Sequence, residues 1–187
     1  MISLYINTTT TSLEIALLKD NKLIDKIYLE DIKKHNTYAL KNIDKILKDN
    51  KLVISDLKKI YVVSGPGSFT GIRIGIVIAK TIAYSLNIKI CVISSLILPI
   101  FNYKNKDYYI SILKDNNTKS YIGIYDKLYN KVLESSIVSS EINNYIDKYK
   151  NNVVVNNYVD IEKVVSFYKD IECDVHTIKP NYIKEVI

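Results

Sequence analysis

The stretch that most limits the fold is Ile60-Tyr-Val-Val63 running into Ser64-Gly-Pro-Gly-Ser-Phe-Thr-Gly-Ile-Arg-Ile-Gly75. Its first four residues read as a strand of the buried type. A tight glycine-rich turn comes next and opens into a helical pattern from about Ser68 to Ser85. A further strand at Lys89 to Ser94 completes a strand-helix-strand unit, whose crossover is expected to be right-handed. Within the turn, Gly65 and Gly67 can take unusual backbone angles, Pro66 fixes one angle, and Ser68 stands where a helix N-cap belongs.

Upstream, residues 3 to 7 (SLYIN) and 13 to 18 (LEIALL) read as strands separated by Thr8 to Thr11. The polar turn Lys19-Asp20-Asn21-Lys22 leads to a third strand at Leu23 to Leu29. His35 to Lys48 then sets Ala39, Leu40, Ile43, Ile46 and Leu47 at the spacing of an amphipathic helix lying on a sheet. Three meander strands followed by alternating helix and parallel strand are similar to the ribonuclease H-like lobe of the actin, sugar-kinase and Hsp70 (ASKHA) superfamily. The fold class expected is therefore α/β. After a short helix at Leu96 to Asn102, the polar stretch Tyr103 to Asp107 is the expected boundary, giving lobes of 1–103 and 104–187. The second lobe reads as strands at Tyr108 to Leu113, Ser120 to Tyr125 and Lys131 to Val138, a helix at Ser140 to Lys150 and a short strand at Val153 to Val155.

At 187 residues, 48% hydrophobic and 25% charged, the chain is long enough to bury a real core. No apolar run approaches the roughly 20 residues of a membrane span, and MISLYINTTTTS lacks the regions of a signal peptide, so a cytoplasmic location is expected with no membrane partner. Cys91 and Cys173 form no CxxC and are expected as thiols. The net charge of +6 raises the question of a polyanion. The lysines, however, are spread along the chain among Asp and Asn, as on an ordinary solvated surface. Of 26 basic residues only Arg73 is arginine, which marks either a place where a flat, five-donor guanidinium is needed or a chance retention.

Phosphate-binding motifs fit poorly. A Walker A loop would need glycine where Thr70 stands and a lysine after it, and Gly65, Gly67 and Gly71 are spaced GxGxxxG, not GxGxxG. An anion site of another kind stays open beside the plain turn. In the helix, Phe69, Ile72, Ile76, Ala79 and Ala83 form one apolar face, and Gly71, Gly75, Ile78 and Ile82 form another. Arg73, Lys80 and Tyr84 line the polar strip between them. One face is expected on the chain's own sheet, and the other, with glycines four apart, against a helix of another chain, with purely internal packing as the alternative.

SGPGSFTGIRIGI, followed by AKTIAYSLNIKICVISSL, closely resembles the signature region of the TsaB family. The resemblance reaches back through NIDKILKDNKLVISDLKKIYVV and His35 to ISLYINTTTTSLEIALL, so that it covers residues 1 to 95. It reaches forward to KPNYIKEVI, which is similar to the family's Pro-x-Tyr ending. Asp115-Asn116-Asn117 with Tyr121 to Tyr125 looks like the family's Asp-Ala-Arg strand motif without its arginine, and the second lobe is expected to be trimmed.

The resemblance implies participation in adding threonylcarbamoyl to the adenosine beside the anticodon of tRNAs reading ANN codons. In such systems TsaC makes threonylcarbamoyl-adenylate, metal-bearing TsaD transfers it to tRNA, and TsaE supplies an ATPase. TsaB binds TsaD through its first two helices and can self-pair there. The implied interface is Ala39, Ile43 and Ile46 on the first helix with Gly65, Pro66, Gly67, Ser68, Phe69, Thr70, Gly71, Arg73, Gly75, Ile78 and Ile82. TsaD is then the direct partner, with TsaE and tRNA engaged through the complex. No catalytic, cofactor or metal residue is expected on this chain, ATP or ADP and metal belonging to TsaD and TsaE.

The alternative is an independent ATP-dependent enzyme or ATPase of the ASKHA superfamily. Against it, active members carry an Asp where the first strand here ends in Asn7, and an amide offers no charge to a hard cation. Thr8 to Thr11 read as a turn, though threonines there could also meet phosphate. His35 and His176 are too far apart for an HxxxH or HExxH pair, and no nucleophile stands in a GxSxG motif, Ser68 being the nearest candidate.

Overall fold

The computed structural model describes residues 1–32, 35–149, 153–154 and 159–183, leaving aside the side chains of His35, Val153 and Val154. Two compact units emerge, one made of residues 1–94 and 161–181, the other of 95–160 and 182–187.

In the first unit, β1 (Ile2–Asn7), β2 (Leu13–Lys19) and β3 (Lys22–Leu29) form the antiparallel meander. α1 (His35–Asp49), β4 (Leu57–Val63), α2 (Phe69–Leu86) and β5 (Lys89–Ile93) come after it. The sheet order is β3-β2-β1-β4-β5, with β4 parallel to both β1 and β5. This is the ribonuclease H-like arrangement of the ASKHA fold. It arises because alternate residues sort to two faces. Leu4, Ile6, Leu13, Ile15, Leu17, Ile60, Val62 and Ile90 enter one core with the apolar stripes of α1 and α2. Fully burying an isoleucine or leucine contributes about 1.5–3 kcal/mol, so this shared core is what holds the helices on the sheet.

α2 starts and stops where its sequence says it should. The Ser68 hydroxyl accepts from the Gly71 N–H at 3.2 Å, and Asn87 ends the helix in the left-handed region at φ 50°. It is long and apolar enough to cross a membrane, yet Gly71, Ile72, Gly75, Ile76, Ile78, Ala79, Ile82 and Ala83 are all buried inside the unit. Its composition is that of a core helix.

On the opposite face of the sheet, Tyr5, Lys59, Tyr61 and Cys91 are fully or almost fully buried. The Lys59 ammonium donates to the carbonyls of Tyr168 (3.1 Å), Lys169 (2.7 Å) and Ile171 (2.8 Å), just past α4 (Ile161–Phe167). A cation at the end of a helix meets carbonyls that have no partner within the helix. Glu162 of α4 also accepts from the Leu23 N–H at 2.9 Å and from Lys22 at 3.0 Å.

The second unit carries β6 (Tyr108–Lys114), β7 (Lys119–Asp126), β8 (Lys131–Val138), α3 (Ile142–Lys148) and β9 (Val153–Val154) in the order β8-β7-β6-β9. Ile142, Tyr145, Ile146 and Tyr149 lie on Ile110, Ile122, Ile124 and Ile137. Tyr129 stacks on Tyr109 at 5.1 Å and packs on Phe101 at 4.8 Å.

The units divide differently from the boundary at 103/104. Leu96 to Phe101 is buried, Leu96 beside Gly123 and Phe101 beside Tyr129, so this stretch belongs with the second sheet. Residues 161–181 return to the first sheet through Lys59 and Glu162. The stretch from Leu98 to Asn102 is a 3₁₀ turn, not an α-helix, and the helix expected from Ser140 is a 3₁₀ turn followed by α3. Lys150 and Val155, at the ends of two expected elements, lie outside the described residues.

Candidate functional site

The glycine-rich turn between β4 and α2 is tied to the turn between β1 and β2. The Asn7 side-chain carbonyl accepts from the Thr9 N–H (3.1 Å) and hydroxyl (2.8 Å), which closes the β1–β2 turn on itself. The Thr8 hydroxyl donates to the Gly71 carbonyl at 2.7 Å, and the Ser68 N–H donates to the Thr9 carbonyl at 2.7 Å. Gly65 and Gly67 adopt φ of 105° and 151°, and the bond between Gly65 and Pro66 is cis. These angles are the reason for glycine at both positions.

The spacing of Gly71 and Gly75 has a different cause from the one the sequence suggests. A Cβ on Gly71 would strike the Thr8 carbonyl, and one on Gly75 would strike the Thr8 hydroxyl. The element that approaches α2 closely at these glycines is the chain's own β1–β2 turn, not a helix of a second molecule. Ile78 and Ile82 are likewise interior, sharing the core with Ala39, Ile43 and Ile46 of α1. Seven residues of the expected interface, Ala39, Ile43, Ile46, Gly71, Gly75, Ile78 and Ile82, are buried within the first unit. Burial within the first unit explains their small or apolar character. Gly65 and Pro66 are buried as well, whereas Gly67, Phe69, Thr70 and Arg73 are exposed and Ser68 is half-buried.

Outside the core, α2 presents a separate ridge. Phe69, Val77 and Tyr84 are 54%, 61% and 66% exposed. With Arg73 they fall within a narrow arc of the helix, as 100° per residue requires. The Arg73 guanidinium stands 3.8 Å over the Phe69 ring, a flat cation on an aromatic face that a lysine reproduces poorly. On α1, Tyr38 and Leu40 are exposed on either side of the buried Ala39. Sequence periodicity missed this ridge because Phe69 reads as a core position and Val77 belongs to neither apolar stripe.

Beside the ridge lies a cleft of about 590 Å³ lined by Thr10, Thr11, Asp31, Asn36, Ser68 and Thr70, with Ile74 at its wall. It places the start of α1 next to the start of α2. The Ser68 hydroxyl there is occupied as a helix cap, which accounts for this serine without a nucleophilic role. Among the described residues no group of three or more His, Cys, Asp and Glu side chains could hold a metal. His176 packs edge-on against Tyr84 at 5.5 Å. His35 opens α1, and its side chain lies outside the described residues.

Comparison with known proteins accounts for this combination of turn and helix. Residues 23–172 match the family model described as TsaD, tRNA N6-adenosine threonylcarbamoyltransferase. The chain is 39% identical over 127 residues to the tRNA threonylcarbamoyladenosine biosynthesis protein TsaB of Bacillus subtilis, covering 67% of this chain and 55% of that protein. It is 30% identical over 158 residues to TsaB of Buchnera aphidicola from Acyrthosiphon pisum, covering 76% and 70%. This chain belongs to the TsaB family. The solved structure of YeaZ from Pseudomonas aeruginosa is similar to this TsaB-family chain along nearly the whole length, with a TM-score of 0.76 at 17% identity, over 97% of this chain and 99% of that one. The match to the Bacillus TsaB spans little more than half of that protein's length.

Proposed function

We propose that this chain acts in tRNA threonylcarbamoyladenosine biosynthesis as a non-catalytic subunit that docks on TsaD. The observation that carries the reading is the ridge of Phe69, Arg73, Val77 and Tyr84, an exposed aromatic and apolar strip on a helix whose core side is already buried. Aromatic and arginine side chains are the usual anchors of protein interfaces, and an exposed strip of this kind calls for a covering partner. The proposed surface is therefore Phe69, Thr70 and Arg73 with Gly67 and Ser68 at the turn, extended by Val77 and Tyr84. A second copy of the chain competes for the same ridge, giving a homodimer in the absence of TsaD.

The non-catalytic assignment rests on Asn7. Its carbonyl is engaged by Thr9, and its amide cannot serve a cation as an aspartate would. TsaD supplies the metal-dependent transfer, TsaE the ATP turnover, and tRNA is met through the complex in the cytoplasm. In a titration against TsaD, Phe69→Ala and Arg73→Ala should each weaken binding by at least about tenfold, while Arg73→Lys should weaken it less. Unchanged affinity in both alanine variants would place the interface elsewhere.

A further inference from the structure

Resting on the docking reading, we infer that Asn181 is a positioning residue for the glycine-rich turn at the head of α2. The segment after α4 runs as a strap over the first unit. Its Cys173 N–H donates to the Ile90 carbonyl at 2.8 Å, beside the edge strand β5. Farther on, the Lys80 ammonium donates to the carbonyls of His176 (3.5 Å) and Ile178 (3.3 Å), and the Ile178 side chain enters the core. The strap then reaches the turn. The Asn181 N–H donates to the Ser64 carbonyl at 2.8 Å, and its side-chain amide donates to the Gly65 carbonyl at 3.4 Å. The Asn181 carbonyl lies so near Gly65 that a Cβ there would stand 3.0 Å from it.

Asn181 thus fixes both residues that precede Pro66, whereas the β1–β2 turn fixes Ser68 and Gly71. Held at both ends, the turn gives Phe69 and Thr70 one orientation at the edge of the ridge. A preorganised turn lowers the ordering cost of docking. Asn181 therefore acts on docking through the turn, by its bonds to Ser64 and Gly65.

Two variants separate positioning from general stability. Asn181→Ala removes the side-chain donor and keeps the backbone one; Asn181→Pro removes both. Hydrogen exchange of residues 64–72, the urea midpoint, and affinity for TsaD are measured on the full chain. Asn181→Pro is expected to speed exchange in 64–72 by about tenfold and to weaken TsaD binding by about the same factor, with a few-fold effect for Asn181→Ala. The urea midpoint and exchange in β1 and β4 should stay as in the parent chain. Unchanged exchange in 64–72, or acceleration spread over the whole sheet with a fall in midpoint, would overturn the positioning role. Local acceleration with undiminished TsaD affinity would overturn its link to docking. If the parent chain itself fails to bind TsaD, it is the docking reading that falls, and this inference with it.

Discussion

At the residue scale, Thr8 explains more of the signature than any side chain in the signature itself. Its carbonyl and hydroxyl occupy the space that side chains at positions 71 and 75 would need. Gly71→Ala should therefore destabilise the fold by about 2–4 kcal/mol, because its new methyl meets backbone that cannot move without disturbing the β1–β2 turn. Gly75→Ala should cost less, about 1–2 kcal/mol, since a threonine hydroxyl can rotate away. Urea denaturation measures both, and a Gly71→Ala protein as stable as its parent would contradict the packing described. The sequence could show that two glycines lie four apart on a helix. It could not show what they face, because Thr8 is 63 residues away and a turn of threonines has no pattern that points to a helix.

At the scale of the element, α2 divides into a core side and a ridge, and the two should respond differently to truncation. Ile78→Ala is expected to cost about 2–4 kcal/mol as a cavity in the shared core, whereas Val77→Ala on the ridge should change stability by less than about 0.5 kcal/mol. Equal losses at 77 and 78, read from urea midpoints, would mean that the helix is oriented otherwise. The boundaries of α1, α2, β1, β2, β3 and β5 were legible because apolar runs and helical spacing mark them, whereas β4 begins at Leu57 and not at the expected Ile60, since Lys58 and Lys59 break the apolar run at its start. α4 was not legible. Ile161-Glu-Lys-Val-Val-Ser-Phe167 spans only seven residues, too few for a helical period to declare itself, and its placement depends on Lys59, more than a hundred residues earlier. The ridge was hidden for a related reason: its exposure is decided by α1 and by the β1–β2 turn, which occupy the remaining faces.

At the scale of the molecule, the back of the first sheet buries groups that titrate at high pH. Burial pushes the Cys91 thiol from 9.0 up to about 12 and the Tyr61 phenol from 10.0 up to about 12. Burial, and then the Glu14 carboxylate, also raise the Tyr5 phenol well above its usual 10.0. Each of these acids keeps its proton in the folded chain at a pH where the unfolded chain has lost it. The stabilisation is complete below the unfolded values and is lost as pH climbs from about 9 toward 12, at up to about 1.4 kcal/mol per pH unit for each group. Lys59 works in the other direction, since burial lowers its ammonium and stability from that group rises with pH up to 10.5. The acids outnumber it, so urea midpoints should fall steeply from about pH 9 to about pH 11. Tyr61→Phe should flatten that fall and cost little at neutral pH, because the buried Tyr61 hydroxyl meets no hydrogen-bond partner among the described residues. A midpoint that stays level across this range would contradict this picture of the buried face.

The ridge and the closed Asn7 turn support the central proposal, that the chain serves the modification reaction by docking and not by chemistry of its own. Co-purification with TsaD from the same organism, followed by a threonylcarbamoyladenosine assay with and without this chain, tests it most directly. The account predicts a stoichiometric complex whose modification activity depends on the chain, together with no ATP hydrolysis by the chain alone. Failure to form the complex, with ATP turnover by the isolated chain, would contradict it and return attention to the cleft beside Ser68 and Thr70.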